Sequence, residues 1–213
     1  MDTAPDFGAD FQAELRQLLE WRRDVRHFTT DPVDEDILAT CLAAFDTAPS
    51  VGLSQPWRIV DLRSPDARAK ALENFKACNQ TALSGYDGSR AELYASLKLT
   101  GMQDAPIQLA VFCDETTPKG AGLGANTMPE MRRYSVVCAI MSFWMLARAH
   151  GLGLGWVSIL DPDQLRRDLD LPADWALVGY LCLGIAAQDT ETPELETAGW
   201  EQRAQQPSTL IKR

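Results

Sequence analysis

The stretch from Val136 to Ala147, Val-Val-Cys-Ala-Ile-Met-Ser-Phe-Trp-Met-Leu-Ala, constrains the fold more than any other. It forms the middle of a helix expected to start at Pro129, a residue suited to a first turn, and to end near His150. That middle is apolar on nearly every face, so in water it has to be buried all round, in a domain core or against a second copy. It is shorter than the ~20 residues that span a bilayer, and arginines flank it at both ends. The second constraint is Ile107–Cys113, a nearly all-apolar run after Ala105-Pro106 that reads as a central strand.

Around these two runs the other elements fall into place. Residues 1–10 read as a disordered acidic lead. Phe11, Leu15, Leu18 and Leu19 sit at helical spacing up to Trp21, and a second helix runs from about Asp34 to Phe45. Residues 48–56 form a loop rich in Pro, Ser and Gly, followed by a strand from Trp57 to Leu62. Helices are expected over Pro65–Lys76 and Ser89–Gly101, with a break at 84–88. Residues 114–128 hold glycines and prolines without an apolar period and are long for a connection, which suggests a lid or dimer arm. A strand from Trp156 to Leu160, a short helix from Pro162 to about Leu169 and a strand from Leu177 to Leu183 complete the list. Residues 185–213 read as a polar tail, with Trp200 and Arg203 isolated in it, wrapping over a neighbour. The sum is one α+β domain over 11–213, with a central sheet of four to five strands covered by helices.

Composition removes several function classes. A chain of 213 residues, 46% apolar, buries a real core, and a net charge of -10 argues against nucleic acid or an anionic membrane as partner. The five cysteines are odd in number and lack a CxxC pair, and the two histidines are far apart. Reduced thiols and no metal site are expected. The chain opens without a basic and apolar leader, so the cytoplasm is the expected location.

Chemistry enters at Glu-Trp-Arg-Arg-Asp-Val-Arg-His-Phe, residues 20–28. As a helix end, this segment would place Arg22 and Arg26 on one face with Arg23 beside them, a receptor for an anionic group. It reads equally as a solvated charged face with Asp24 paired to its arginines. Gly151-Leu-Gly-Leu-Gly155 follows a helix and precedes a strand, the reverse of a dinucleotide fingerprint. A helix stop plus close backbone approach is the better reading. No Walker A motif and no serine-hydrolase elbow is present.

Taken together, Arg22-Arg23-x-x-Arg26-x-Phe28, Pro49-Ser50 with Gln55-Pro56-Trp57, and Gly153-Leu-Gly155-Trp156 resemble the flavin-dependent nitroreductase superfamily. More narrowly, Asp24 within the arginine motif, Thr127-Met-Pro-Glu130, Trp156-Val-Ser-Ile-Leu-Asp-Pro162 and Tyr180-Leu-Cys-Leu-Gly184 resemble the BluB family of 5,6-dimethylbenzimidazole synthases. The resemblance covers about residues 20–203. It implies an FMN-binding fold, an interlocked homodimer with FMN at the subunit interface, and an unusual reaction. Reduced FMN is there a substrate that O2 helps break into 5,6-dimethylbenzimidazole, the cobalamin lower ligand, and erythrose 4-phosphate. A separate flavin reductase would supply it.

The same resemblance assigns catalytic roles to Asp24 and Ser158. It assigns flavin binding to Arg22, Arg23, Val25, Arg26, Ser50, Ser54, Gln55, Gly155, Trp156 and Val157, with Arg203 as a phosphate partner from the tail. Each has a plain alternative. Asp24 could only pair with its arginines, Ser158 could be a packed strand hydroxyl, and Lys98 could reach the site or lie exposed on a helix. Lys119–Gly124 departs from the family pattern, lacking the basic and histidine residues associated with relatives. The rival function on this fold is an NAD(P)H-dependent nitroreductase or flavin reductase. A non-catalytic flavin-binding protein is a third reading.

Overall fold

A computed structural model describes residues 4–97, 100–204 and 209–213. Lys98 therefore lies outside the described residues. In chain order the elements are α1 (Ala9–Trp21), α2 (Glu35–Leu42), α3 (Ala44–Thr47), β1 (Trp57–Asp61), α4 (Pro65–Leu83) and α5 (Gly88–Ser96). Then come α6 (Gly101–Asp104), β2 (Ile107–Asp114), α7 (Met131–Ala149), β3 (Gly153–Val157), α8 (Pro162–Asp168), β4 (Trp175–Gly184) and α9 (Glu194–Thr197).

Local chemistry sets several boundaries. Asp34 caps α2 by accepting from the amides of Asp36 and Ile37, and Ser64 caps α4 by accepting from Ala67 N, with Pro65 in the first turn. Asp161 caps α8 in the same manner, again followed by proline. At the other end of α7, Gly151 takes φ +77, the left-handed conformation that closes a helix.

The four strands form one antiparallel sheet in the order β1-β2-β4-β3. β2 is internal, and its side chains feed both faces. Ile107, Leu109, Val111 and Cys113 join the core under α2, α3 and α7, whereas Ala110 and Phe112 join the core with Phe75 of α4 and Leu165 of α8. This two-sided burial is why the run lacks polar alternation. Its one fully buried polar residue, Gln108, is satisfied by donating to Met102 O (2.9 Å) and accepting from Tyr180 Oη (2.5 Å).

Several expectations need correcting. Of the two covers expected for α7, the domain core alone does not bury it all round. Val136, Ala139, Ile140, Phe143 and Ala147 face the core, but Tyr134, Val137 and Met141 are exposed. α1 likewise buries none of its residues and leaves Phe11, Leu15 and Leu19 open. That helix starts at Ala9, inside the segment 1–10, and Phe7 packs on Phe11 with ring centroids 4.9 Å apart. β3 spans Gly153–Val157 rather than 156–160: its pairing with β4 stops at Val157↔Tyr180, while β4 itself continues to Trp175. The tail folds over its own chain. Phe28 pairs with Ala186, and Trp200 packs on Tyr86 and Tyr94 with Arg90 4.0 Å above its ring. Residues 114–128 form linked turns docked on 50–55, where a side chain at Gly52 would meet Leu123 O at 2.9 Å.

Candidate active site

The site is built where residues 22–28 cross the outer edge of β3. The first helix stops at Trp21, and Arg22 is already extended. Val25 N donates to Leu154 O (3.0 Å), and Asp24 bridges Leu154 in parallel register. The arginines therefore do not share a helix face. An open strand edge offers backbone partners that a longer helix would forgo. In an extended segment residues 22, 24 and 26 share a side, and the three side chains diverge in use. Arg22 stacks over Trp144, 4.7 Å from its ring. Arg26 Nε lies 3.5 Å from Asp24 Oδ2, and its Nη1 is buried without a partner among the described residues. Arg23, on the other side, is spent on main-chain oxygens, donating to Glu191 O and Arg22 O.

Glycine makes the crossing feasible. A side chain at Gly155 would overlap Val25 O, and one at Gly153 would meet Val25 Cγ2 at 2.9 Å. The close approach that these glycines allow is thus to the Val25 segment. Trp156 N then donates to Asp24 Oδ1 (2.8 Å).

Asp24 is a carboxylate in a recess. Its side chain keeps 43% of its surface accessible, yet the surrounding protein desolvates it and raises its pKa above the ordinary value. The Trp156 amide, Arg26 and Arg22 oppose that shift without cancelling it. Desolvation also lowers Arg22 and Arg23, and the nearby charge of Arg203 lowers both further. The expected phosphate partner from the tail is thus close enough to share their field.

The 24–26 segment is the wall between two cavities. The smaller, about 210 Å³, is lined by Asp24, Arg26 and residues 155–158 on one side and by Phe75, Tyr94 and Trp200 on the other. Asp24 and Ser158, far apart in sequence, therefore open onto one space. Ser158 is exposed just beyond β3, not on the strand. Cys182 also lines this cavity, its thiol pushed up to about 12, chiefly by burial. The larger cavity, about 510 Å³, lies across the wall beside Arg23, Trp144, Arg148 and Leu154. Sequence reasoning missed Phe75, Tyr94 and Cys182. Trp200 stood out only as a lone aromatic in a polar tail.

Ser50, Ser54 and Gln55 line neither of these cavities. They precede β1, at the opposite edge of the sheet. The row through Gly155 crosses Cys182 and Gln108 and meets Leu62, whereas β1 begins at Trp57. Three strand spacings across and five residues along put the two groups roughly 20 Å apart. The loop has its own strain and ties. Leu53 and Gln55 adopt positive φ (55 and 44), and Ser50 Oγ accepts from Gln55 N (3.1 Å). Lys119 donates to Gln55, and the Ser54 hydroxyl is buried without a partner among the described residues.

Among the described residues no cluster of three His, Cys, Asp or Glu side chains gathers, and no helix is long and apolar enough to cross a membrane. Comparison with known proteins gives a consistent placement. The Nitroreductase family matches residues 19–185. A 5,6-dimethylbenzimidazole synthase of Rhodospirillum rubrum is 51% identical over 213 residues, covering 100% of both chains. One from Rhodobacter capsulatus is 47% identical over 92% of this chain and 95% of its own. Among solved structures, an iodotyrosine deiodinase bound to FMN and 3-iodo-L-tyrosine superposes with TM-score 0.71 at 18% identity, covering 93% of this chain and 97% of that one. A nitroreductase-like protein of Streptococcus mutans gives 0.70 at 17%, covering 94% and 99%. At those identities the two structures speak to the fold alone. The family match and the full-length relatives show that this chain belongs to the nitroreductase family and, within it, to the 5,6-dimethylbenzimidazole synthases.

Proposed function

We propose that the chain acts as a cytoplasmic homodimer that takes reduced FMN as substrate and O2 as co-substrate, releasing 5,6-dimethylbenzimidazole and erythrose 4-phosphate. The observation that carries this reading is the convergence of Asp24, Arg26 and Ser158 on one cavity, in a chain half identical to named synthases along its whole length. Reduced flavin would supply both the electrons for O2 and the carbon skeleton of the product.

The residues present fit such a ligand. Arg26 Nη1 is an orphaned buried donor beside the cavity, suited to the electron-rich pyrimidine end of a reduced flavin. Arg22 and Arg203 supply positive field for the phosphate, whereas Arg23 acts through the tail it ties down. Asp24 Oδ1 is held by the Trp156 amide, so Oδ2, 3.5 Å from Arg26 Nε, is the oxygen that would take a proton, and the raised pKa makes the group a stronger base than an ordinary carboxylate. Ser158 Oγ can donate to or accept from an oxygen on the same face. Val25, Gly155, Trp156 and Val157 form the backbone floor. Ser50, Ser54 and Gln55, roughly 20 Å away, would come from a second copy, and the exposed apolar faces of α1 and α7 give that copy a surface to cover. A separate flavin reductase would deliver the reduced substrate.

The test is aerobic incubation of the purified protein with chemically reduced FMN, followed by mass spectrometry. Loss of flavin matched by appearance of 5,6-dimethylbenzimidazole is expected. Intact FMN with no benzimidazole would return the chain to an NAD(P)H-dependent nitroreductase, or to a flavin carrier if no reductant is consumed.

A further inference from the structure

α4 carries a polar side chain that neither the cavity nor the helix itself explains. Asn74 is buried, 8% exposed, at a position where an unpaired amide would cost stability. Both ends of its amide are spent on one residue of another element. Nδ2 donates to Asp161 O (2.9 Å), and Oδ1 accepts from Asp161 N (2.8 Å), with a longer contact from Cys78 Sγ of the same helix (3.7 Å). Two opposed bonds to one residue fix its position and its rotation, which a single bond does not. Asp161 in turn accepts from Gln164 N (2.9 Å) and so starts α8.

The place of this clamp matters. β3 ends at Val157, held in register with Tyr180, and Asp161 is the next residue tied to another element through a side-chain amide. Ser158, Ile159 and Leu160 span the gap between the two anchors. Ser158 is the exposed member facing the cavity, and Phe75, the neighbour of Asn74 on α4, lines the same space. α4 therefore touches the cavity directly through one residue and reaches Ser158 through the residue before it.

We propose that Asn74 is a positioning residue for Ser158, setting where the hydroxyl stands relative to Asp24 by clamping the loop that follows β3. The claim rests on the proposed role of Ser158, and its test is chosen to separate the two. Asn74→Ala should lower kcat for benzimidazole formation by roughly tenfold or more, the scale of a small misplacement at a reacting centre. Affinity for oxidised FMN should stay within about twofold, since the clamp touches no flavin-facing group. In a Ser158→Ala background the same change should bring no further loss of kcat, because a positioning residue has nothing left to position. Additive losses, or a fall in FMN affinity parallel to kcat, would mark a merely structural amide and overturn the inference. Hydrogen exchange over residues 158–161 should rise in Asn74→Ala while β2 stays protected, and unchanged exchange there overturns it whatever the reaction proves to be. Should Asn74→Ala not fold, Asn74→Asp keeps the acceptor for Asp161 N and sets a carboxylate oxygen against Asp161 O. The same kcat loss and the same exchange pattern are then expected. Wild-type protein that forms no benzimidazole sinks the proposed function, and the exchange measurement still decides the clamp.

Discussion

The two edges of the sheet carry the two halves of the residue set expected to hold a flavin, and they are built differently. At the β3 edge the site is assembled from distant segments by main-chain hydrogen bonds: 24–26 against 154–156, and 27–29 against 185–187. Ahead of β1 the loop 50–55 is local, folded on itself through Ser50 and Gln55 and braced by the turns of 114–128. The first half has charge, a recessed carboxylate and a cavity. The second has strained backbone and short polar side chains, with no cavity beside it shared with Asp24. Under the proposed homodimer, this segment, roughly 20 Å from Asp24, would serve the site of the other copy. The apolar residues left open on α1 and α7 point the same way.

The sharpest break in the comparison is to remove the chemistry from the first half while leaving its shape. Asn at position 24 can still accept from Trp156 N, so Asp24→Asn should bind FMN within about threefold of wild type and lose product formation by ~10²–10⁴, the span of a lost general base. The pH dependence follows from the direction of the shift. Desolvation raises the folded pKa of Asp24, so whatever stability the group lends is present below its unfolded pKa, ~3.9, and lost as pH rises through the folded value. Near neutral pH, Asp24→Asn should therefore melt no lower than wild type. Wild-type activity should fall as pH drops through the raised pKa. A variant that keeps full turnover would remove Asp24 from catalysis.

Next in size is a complementation that tests whether the second half serves another chain's first half. Asp24→Asn is one parent, and the doubly substituted Ser50→Ala, Gln55→Ala is the other. Refolded together in equal amounts, half the dimers are mixed, and each mixed dimer holds one site with both halves intact. Turnover should reach about a quarter of wild type. If both halves served the same chain, mixing would give only the average of the two parents.

How much of this was readable beforehand depended on how local each cause is. The burial of β2, the helix starts at Pro65 and Pro162, and the closure of α7 at Gly151 follow from neighbouring residues, and the sequence pattern shows them. The motif resemblance found Asp24 and Ser158, which the fold brings to one cavity. What could not be read was pairing across the chain. The arginines suggested a helix end because nothing local announces that β3 leaves an edge open for 24–28. Nothing in the sequence marks Asn74, since its partner lies 87 positions away. Trp200 seemed isolated because its cage, Tyr86, Tyr94 and Arg90, sits on a different hairpin. The exposed side of α7 is the converse case: the pattern was right about its apolarity, and one chain leaves Tyr134, Val137 and Met141 open.

The smallest effect separates arginines that the sequence groups together. Arg26 has a free buried donor by the cavity, whereas Arg23 has its guanidinium committed to Glu191 O and Arg22 O. Arg26→Ala removes a charged hydrogen bond worth ~1.5–3 kcal/mol, which corresponds to roughly 10- to 150-fold weaker binding of reduced FMN in an anaerobic titration. Arg23→Ala removes instead a tie between the 22–28 segment and the tail. It should cost less than about fivefold in affinity and show itself as faster hydrogen exchange over residues 188–197. Equal losses of affinity from the two changes would mean that Arg23 leaves its carbonyls to meet the ligand, and the β3 edge would then be remodelled on binding rather than preformed.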